Sequence, residues 1–166
     1  MVRAQSAIFQ RIVLGSDHAG YPQKARLVDY LREHGYEVLD VGPDNETDAV
    51  DYPDYAVHAC KPVCATDEHA ADNTDVDTCA ILVCGTGIGM AITANKLAGI
   101  RAANITTPEF AVLCREHNDA NVLTLSGRFV DYDTNVAIVE AFLGTPYAGA
   151  RHQHRLDKIT RLEQIS

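Results

Sequence analysis

Cys84 closes the apolar run Cys79-Ala-Ile-Leu-Val-Cys84 and is followed at once by Gly85-Thr86-Gly87-Ile88-Gly89. A thiol at the end of a buried strand and the start of a helix sits among unpaired backbone N–H groups, whose partial positive charge stabilises a thiolate. Alternate glycines let the same donors approach a ligand oxygen closely, as in an oxyanion or phosphate cradle. They do not fit the dinucleotide fingerprint, whose third glycine follows the second by three residues rather than two. A buried structural cysteine beside a tight turn would carry the same residues, and this motif alone leaves both readings open.

Three further clusters carry polar chemistry. Asp17 and His18 stand in Gly15-Ser-Asp-His-Ala-Gly20, where a turn needs small residues but has no packing use for an acid and an imidazole. They suggest ligand contacts, although a helix cap beside an exposed histidine fits as well. His117-Asn118-Asp-Ala-Asn121 is similarly two-sided: histidine titrates near neutrality and can serve as acid or base, while Asn and Asp are ordinary turn formers. Arg151-His-Gln-His-Arg155 puts two guanidinium groups on one face if helical, suited to gripping a phosphate, or simply a solvated helix surface.

The elements that must position these residues follow from periodicity. Residues 11–16 form a short branched apolar strand, and Ala25, Val28 and Leu31 recur at helical spacing until Gly35. Residues 36–42 read as a second strand and 43–51 as a loop. A helix begins near Pro53, and residues 66–78 are too polar to pack, which predicts a flexible excursion. Cys79 to Cys84 is the third strand, and a helix runs from Met90 to Leu97. Ile100 to Ile105 is the fourth strand, a helix follows from Pro108 to Glu116, Asn121 to Ser126 is the fifth strand, and another helix spans 133–143. An amphipathic tail begins near Gln153. Strands alternating with helices, several apolar throughout, specify a three-layer α/β sandwich with a mostly parallel, Rossmann-like five-stranded sheet. Such sheets place ligands at the carboxyl ends of their strands near the switch in strand order. That directs attention to the turns at Gly15–Gly20, Cys84–Gly89, after Ile105, and Ser126–Arg128.

Composition bounds the class. With 166 residues, 46% hydrophobic, and 14 basic against 23 acidic side chains for a net charge of −9, the chain reads as one globular domain, residues 11–166, behind an extension of residues 1–10. No apolar run reaches the ~20 residues of a membrane span, and the start lacks the apolar core of a secretory signal, so a cytoplasmic protein with no membrane partner is expected. The acidic balance argues against a nucleic-acid surface. Residues 37–78 hold twelve acids and only Lys61 among bases, whereas 79–166 hold eight of each. The second half therefore leaves room for an anion site in the region of Arg128, Arg151 and Arg155, since a small ligand responds to charges within ~8–10 Å. Five cysteines, an odd number without an export signal, should be reduced thiols. Cys60 and Cys64 with His58 and His69 could suggest zinc, but no second pair at ligand spacing follows and a solvated helix suits the surroundings better.

Taken together, these motifs resemble the family of ribose-5-phosphate isomerase B and its galactose-6-phosphate and allose-6-phosphate relatives. The resemblance runs from Arg11 to Glu163. It is carried by Gly15-Ser-Asp-His-Ala-Gly, the stretch around Asp51-Tyr-Pro, Cys84-Gly-Thr-Gly-Ile-Gly with Ala94-Asn-Lys and Gly99-Ile-Arg-Ala, His117-Asn-Asp-Ala-Asn-Val-Leu, and Gly149-Ala-Arg-His-Gln-His-Arg. It implies an aldose–ketose isomerase needing no metal or cofactor, with Cys84 as the base that moves a proton between C2 and C1 through an enediolate. Gly85, Gly87 and Gly89 would lie in the loop that holds the oxyanion. Asp17, Thr86, His117 and Asn118 match residues that hold the ring oxygen and hydroxyls, and His18, Arg128, Arg151 and Arg155 match residues that bind phosphate. Tyr52 matches a residue lining the sugar pocket. One branch of the family uses a glutamate further along the helix as base, and the presence of Cys84 places this chain with the cysteine branch.

The resemblance further implies a homodimer, or a dimer of dimers, whose active sites are shared between subunits. The stretch 66–78 is longer than the family usual, and about ten residues precede the first strand. Ribose 5-phosphate and ribulose 5-phosphate are the expected pair. A six-carbon sugar phosphate, a non-catalytic sugar-phosphate-binding module, and a hydrolase with Cys84 as covalent nucleophile are the alternatives.

Overall fold

The order of buried residues along the strands dictates the layering. In β1 (Arg11–Ser16), Ile12, Val13 and Leu14 are all fully buried, and in β3 (Thr78–Cys84) all seven residues are buried, so both strands are covered on both faces. The computed structural model describes residues 8–68 and 77–165, and of 65–68 the backbone only. Five parallel strands, completed by β2 (Glu37–Asp40), β4 (Ala102–Asn104) and β5 (Val122–Ser126), pair in the order β2-β1-β3-β5-β4. The three-layer α/β class expected from the sequence is thus found, with every pairing parallel.

Side chains alternate across the sheet with period two. Ile12, Leu14, Ile81, Val83, Leu123 and Leu125 pack under α1 (Tyr21–Glu33), α4 (Pro108–Asn118) and α5 (Tyr132–Gly144). Val13, Ala80, Leu82, Cys84 and Val122 pack under α2 (Tyr52–Glu68) and α3 (Ile88–Ala94). The last helix, α6 (Gln153–Leu162), follows a 3-10 turn at Ala150–His152 and buries only Leu156. Among the described residues, no helix is long and apolar enough to cross a membrane.

Where element bounds depart from expectation, a side chain takes over the backbone. The fourth strand starts at Ala102 rather than Ile100, because Asn121 accepts from the Arg101 N–H and donates to the Gly99 carbonyl in place of a ladder. The third helix ends at Ala94 rather than Leu97, where Asn95 turns to bond both the N–H and the carbonyl of Ala102. The second strand stops at Asp40, whose carboxylate accepts from Gly42 N–H and from the buried ammonium of Lys24. The second helix is not wholly solvated, since Ala56, Ala59, Cys60 and Val63 face the core. It runs to Glu68, past the start of the expected excursion, and Thr78 already belongs to β3, while 69–76 lie outside the described residues. Of the expected N-terminal extension, residues 1–7 also lie outside them. Phe9, by contrast, is buried and stacks on Phe142 with ring centroids 5.8 Å apart.

Candidate active site

The switch in strand order falls between β1 and β3, which leave the sheet in opposite lateral directions, and the turns after both strands meet there. After β1, Asp17 donates its N–H to the Val83 carbonyl at 3.2 Å, and its Oδ1 accepts from Gly20 N–H at 2.8 Å. The helix-cap reading of Asp17 does not hold: its bond closes the turn ahead of α1, whose N-cap position is Gly20 and receives no side-chain cap. Its Oδ2 is not used in that bond. His18 accepts from Val50 N–H at Nδ1, 3.4 Å away, so a neutral ring carries its proton on Nε2. Gly20 must be glycine: a Cβ would lie 2.1 Å from the Val83 carbonyl oxygen.

After β3, the Cys84 sulfur accepts from Gly87 N–H at 3.1 Å, and the residue is 5% exposed. Gly87 has φ +79°, and a Cβ there would meet the Asn104 Oδ1 at 2.3 Å. A Cβ on Gly89 would sit 2.8 Å from the Tyr52 ring, so the aromatic face lies directly on the turn. Thr86 is exposed and its Oγ1 accepts from Ile88 N–H. Arg128 lies alongside Gly85, with its Cδ 3.5 Å from the position of a Cβ there, and its N–H donates to the Gly85 carbonyl. Asp17, His18, Tyr52, Cys84 to Gly89 and Arg128 thus share one end of the sheet.

His117, Asn118, Arg151 and Arg155 do not join them. Cys84 is in register with Ser126, the last residue of β5, whereas His117 and Asn118 are in the final turn of α4, just before β5 begins at Val122. Four strand rises, about 13 Å, separate the two levels. The 3-10 turn is tied to this far end: Ala148 N–H donates to the Glu116 carbonyl, and the His152 ring stacks on His117 with centroids 4.4 Å apart. Arg151 and Arg155 are exposed, with Arg155 Nη1 donating to the Arg151 carbonyl at 3.4 Å. Arg128 and the Arg151–Arg155 pair, grouped by sequence as one anion region, occupy opposite ends of the chain's sheet.

Several residues that hold the site together carry no sequence signal of chemistry. Ser126 Oγ donates to the Gly85 carbonyl at 2.8 Å and accepts from Phe129 N–H at 3.0 Å, pinning two turns to each other. Asn135 donates to Gln23 and to the Ser126 carbonyl, and Gln23 donates to the carbonyls of Gly127 and Val130. A polar residue amid the apolar run of α5 is the one clue that could have found Asn135. The other thiols differ from Cys84 in setting. Burial pushes Cys60 up to about 12 and Cys114 up to about 11, and raises Cys79 further. Cys60 faces the core, Cys64 donates to the Ala98 carbonyl, and His69 lies outside the described residues. Among the described residues no group of three or more His, Cys, Asp or Glu is placed to hold a metal ion.

A doubly covered parallel sheet with a cysteine and a glycine turn at its switch point defines an α/β protein of the class whose ligand sites form at the strand ends. Comparison with known proteins places it more closely. A family profile described as Ribose/Galactose Isomerase matches residues 12–159, and the chain belongs to that family. It is 42% identical over 155 residues to ribose-5-phosphate isomerase B of Escherichia coli K12, covering 93% of this chain and 97% of that one. Among solved structures, ribose-5-phosphate isomerase B of Clostridium thermocellum superposes with a TM-score of 0.85 at 40% identity, over 93% of this chain and 98% of that one. The Mycoplasma genitalium enzyme with bound ribulose-5-phosphate superposes at 0.83 with 36% identity, over 94% and 97%.

Proposed function

We propose that this protein interconverts ribose 5-phosphate and ribulose 5-phosphate through an enediolate, with Cys84 as the proton-transfer base. The observation that carries the reading is the Cys84 turn. The sulfur already accepts one backbone N–H, from Gly87, and stands beside a glycine-spaced turn at the sheet's switch point. Moving a proton from C2 to C1 needs a base near the carbon and donors near the oxygen that gains charge. A thiolate at Cys84 takes the C2 proton and negative charge develops on the C1 oxygen; a proton then passes from the C2 hydroxyl to the C1 oxygen, and return of the first proton from the Cys84 thiol to C1 leaves the C2 carbonyl of the ketose. The backbone of Gly85 to Gly89 faces the developing oxyanion. Similarity to a relative described with bound ribulose-5-phosphate supports the substrate.

The remaining residues are assigned to binding and proton movement. Asp17, whose Oδ1 accepts from Gly20 N–H, Thr86, His117 and Asn118 hold the ring oxygen and hydroxyls, and Tyr52 lines the sugar pocket. His18, presenting Nε2–H, binds phosphate with Arg128, Arg151 and Arg155. Because Cys84 and His117 lie at opposite ends of one chain's sheet, a complete site needs two chains, one supplying each end. The β4 edge supports such pairing. Ile88 and Ile92 on α3, at 53% and 60% exposure, and Phe110 on α4, at 57%, are large apolar side chains left open on the helices either side of it. No cofactor, nucleic acid or membrane enters the reading. The extension 1–10 and the single domain 11–166 stand as proposed divisions.

The test is to supply the pure protein with ribose 5-phosphate and follow ketose formation, with allose 6-phosphate and galactose 6-phosphate in parallel. Turnover of the pentose is expected. Turnover of a six-carbon substrate alone replaces the substrate assignment, and none on all three overturns the isomerase reading.

A further inference from the structure

His152 is the buried member of the Arg151-His-Gln-His-Arg155 motif, at 8% exposure between exposed neighbours. Its ring lies parallel to that of His117, with 17° between the planes. The Nε–H of Arg151 donates to His152 Nε2 at 3.2 Å, so a neutral ring accepting there carries its proton on Nδ1. The His152 N–H is held by the Gly149 carbonyl at 3.1 Å. One imidazole therefore touches both the histidine assigned to proton movement and an arginine assigned to phosphate.

Resting on the isomerase reading, we propose that His152 is a positioning residue that couples these two: its ring is the plate that holds His117, and its Nε2 aims Arg151. With Nε engaged, the two Nη groups of Arg151 stay available for a phosphate in a fixed orientation. A neutral plate tolerates His117 in either protonation state, because an aromatic face attracts a neighbouring cation. A charged plate would set N–H against N–H at Arg151 and repel a protonated His117. The surroundings favour the neutral ring: burial lowers the His152 pKa, and His117, Arg151 and Arg155 act in the same direction against Glu116.

Two replacements separate the contacts. His152→Gln keeps an acceptor near the Nε2 position and removes the plate, so kcat on ribose 5-phosphate should fall about ten- to a hundredfold with KM close to wild type. His152→Phe keeps the plate and removes the acceptor, so KM should rise about tenfold with kcat close to wild type. A third measurement needs no variant. In a long-range proton–nitrogen NMR spectrum of histidine-labelled wild type at neutral pH, His152 should be a neutral ring protonated on Nδ1. Equal kinetic losses in the two folded variants, wild-type kinetics in both, or a cationic or Nε2-protonated His152 would overturn the proposal. An inactive wild type would instead overturn the isomerase reading itself.

Discussion

The two ends of the sheet solve different problems with different materials. At the carboxyl end, the geometry is mainly backbone: Gly20 against the Val83 carbonyl, Gly87 at positive φ, and Ser126 clamping the Gly85 carbonyl set where Cys84 sits. At the opposite end the geometry is side chain on side chain: a histidine stack, Arg151 on His152, and Arg115, 3% exposed, donating to Asp119 and to the Ala120 and Thr145 carbonyls. Rigid turns suit the base proposed at Cys84, which must meet one carbon. Exposed arginines on a 3-10 turn and a terminal helix suit the phosphate-binding role proposed for them. Under the proposed function, neither end is a site alone.

The largest expected effect strikes the carboxyl end. Cys84→Ala should lower kcat by about 10²–10⁴-fold with folding intact, as loss of a proton-transfer base does. Alanine at Cys60, Cys64 or Cys114 should leave kcat far less altered, and equal losses at all four would make the cysteine effect structural. The frame of the same end rests on Lys24, 1% exposed, which donates to both Asp40 oxygens at 2.7 and 2.8 Å and to the Pro43 carbonyl at 2.9 Å. Lys24→Met should cost roughly 2–3 kcal/mol in denaturant unfolding, less than a fully buried pair because Asp40 keeps some solvent. Unchanged stability would show that the loop after β2 is held by other contacts.

At the opposite end the effect should be smaller and of another kind. Arg151→Ala or Arg155→Ala should weaken substrate binding about ten- to a hundredfold, the worth of one charge-assisted contact, with kcat less affected. A pure kcat defect would remove these arginines from phosphate binding. The smallest expected effect is none: chelators should leave the rate unchanged, because in the proposed mechanism backbone donors carry the oxyanion. Loss in EDTA restored by Zn²⁺ or Mg²⁺ would contradict that.

Much of the carboxyl end was legible in the sequence, because its cues are local. An apolar run ending in Cys84 and a glycine-spaced turn announce a strand, a turn and a helix start within a dozen residues. Several element bounds shifted where Asn95, Asn121 and Asp40 bond the backbone, a competition that periodicity does not register. The far separation of His117 from Cys84 was not readable from residue types. It follows from strand order and from α4 running back against β5, both fixed by pairings distant in sequence. Nor does Arg-His-Gln-His-Arg reveal which histidine is buried, since that depends on the stack with His117. The resemblance to a family with shared sites implies a site divided between chains, and the separation of His117 from Cys84 in one chain supports proposing it.

Complementation tests that division most directly. Cys84→Ala and Arg151→Ala proteins, each nearly inactive at substrate well below the wild-type KM, are mixed under conditions that exchange subunits, mixed dimers are verified by mass, and activity is read at that substrate level. A mixed dimer holds one site with both defects and one with neither. Random mixing makes half the dimers mixed with one intact site each, so up to about a quarter of wild-type activity should return. If exchange is confirmed and activity stays at the level of the separate variants, Arg151 serves its own chain's Cys84 and the two-chain site is wrong.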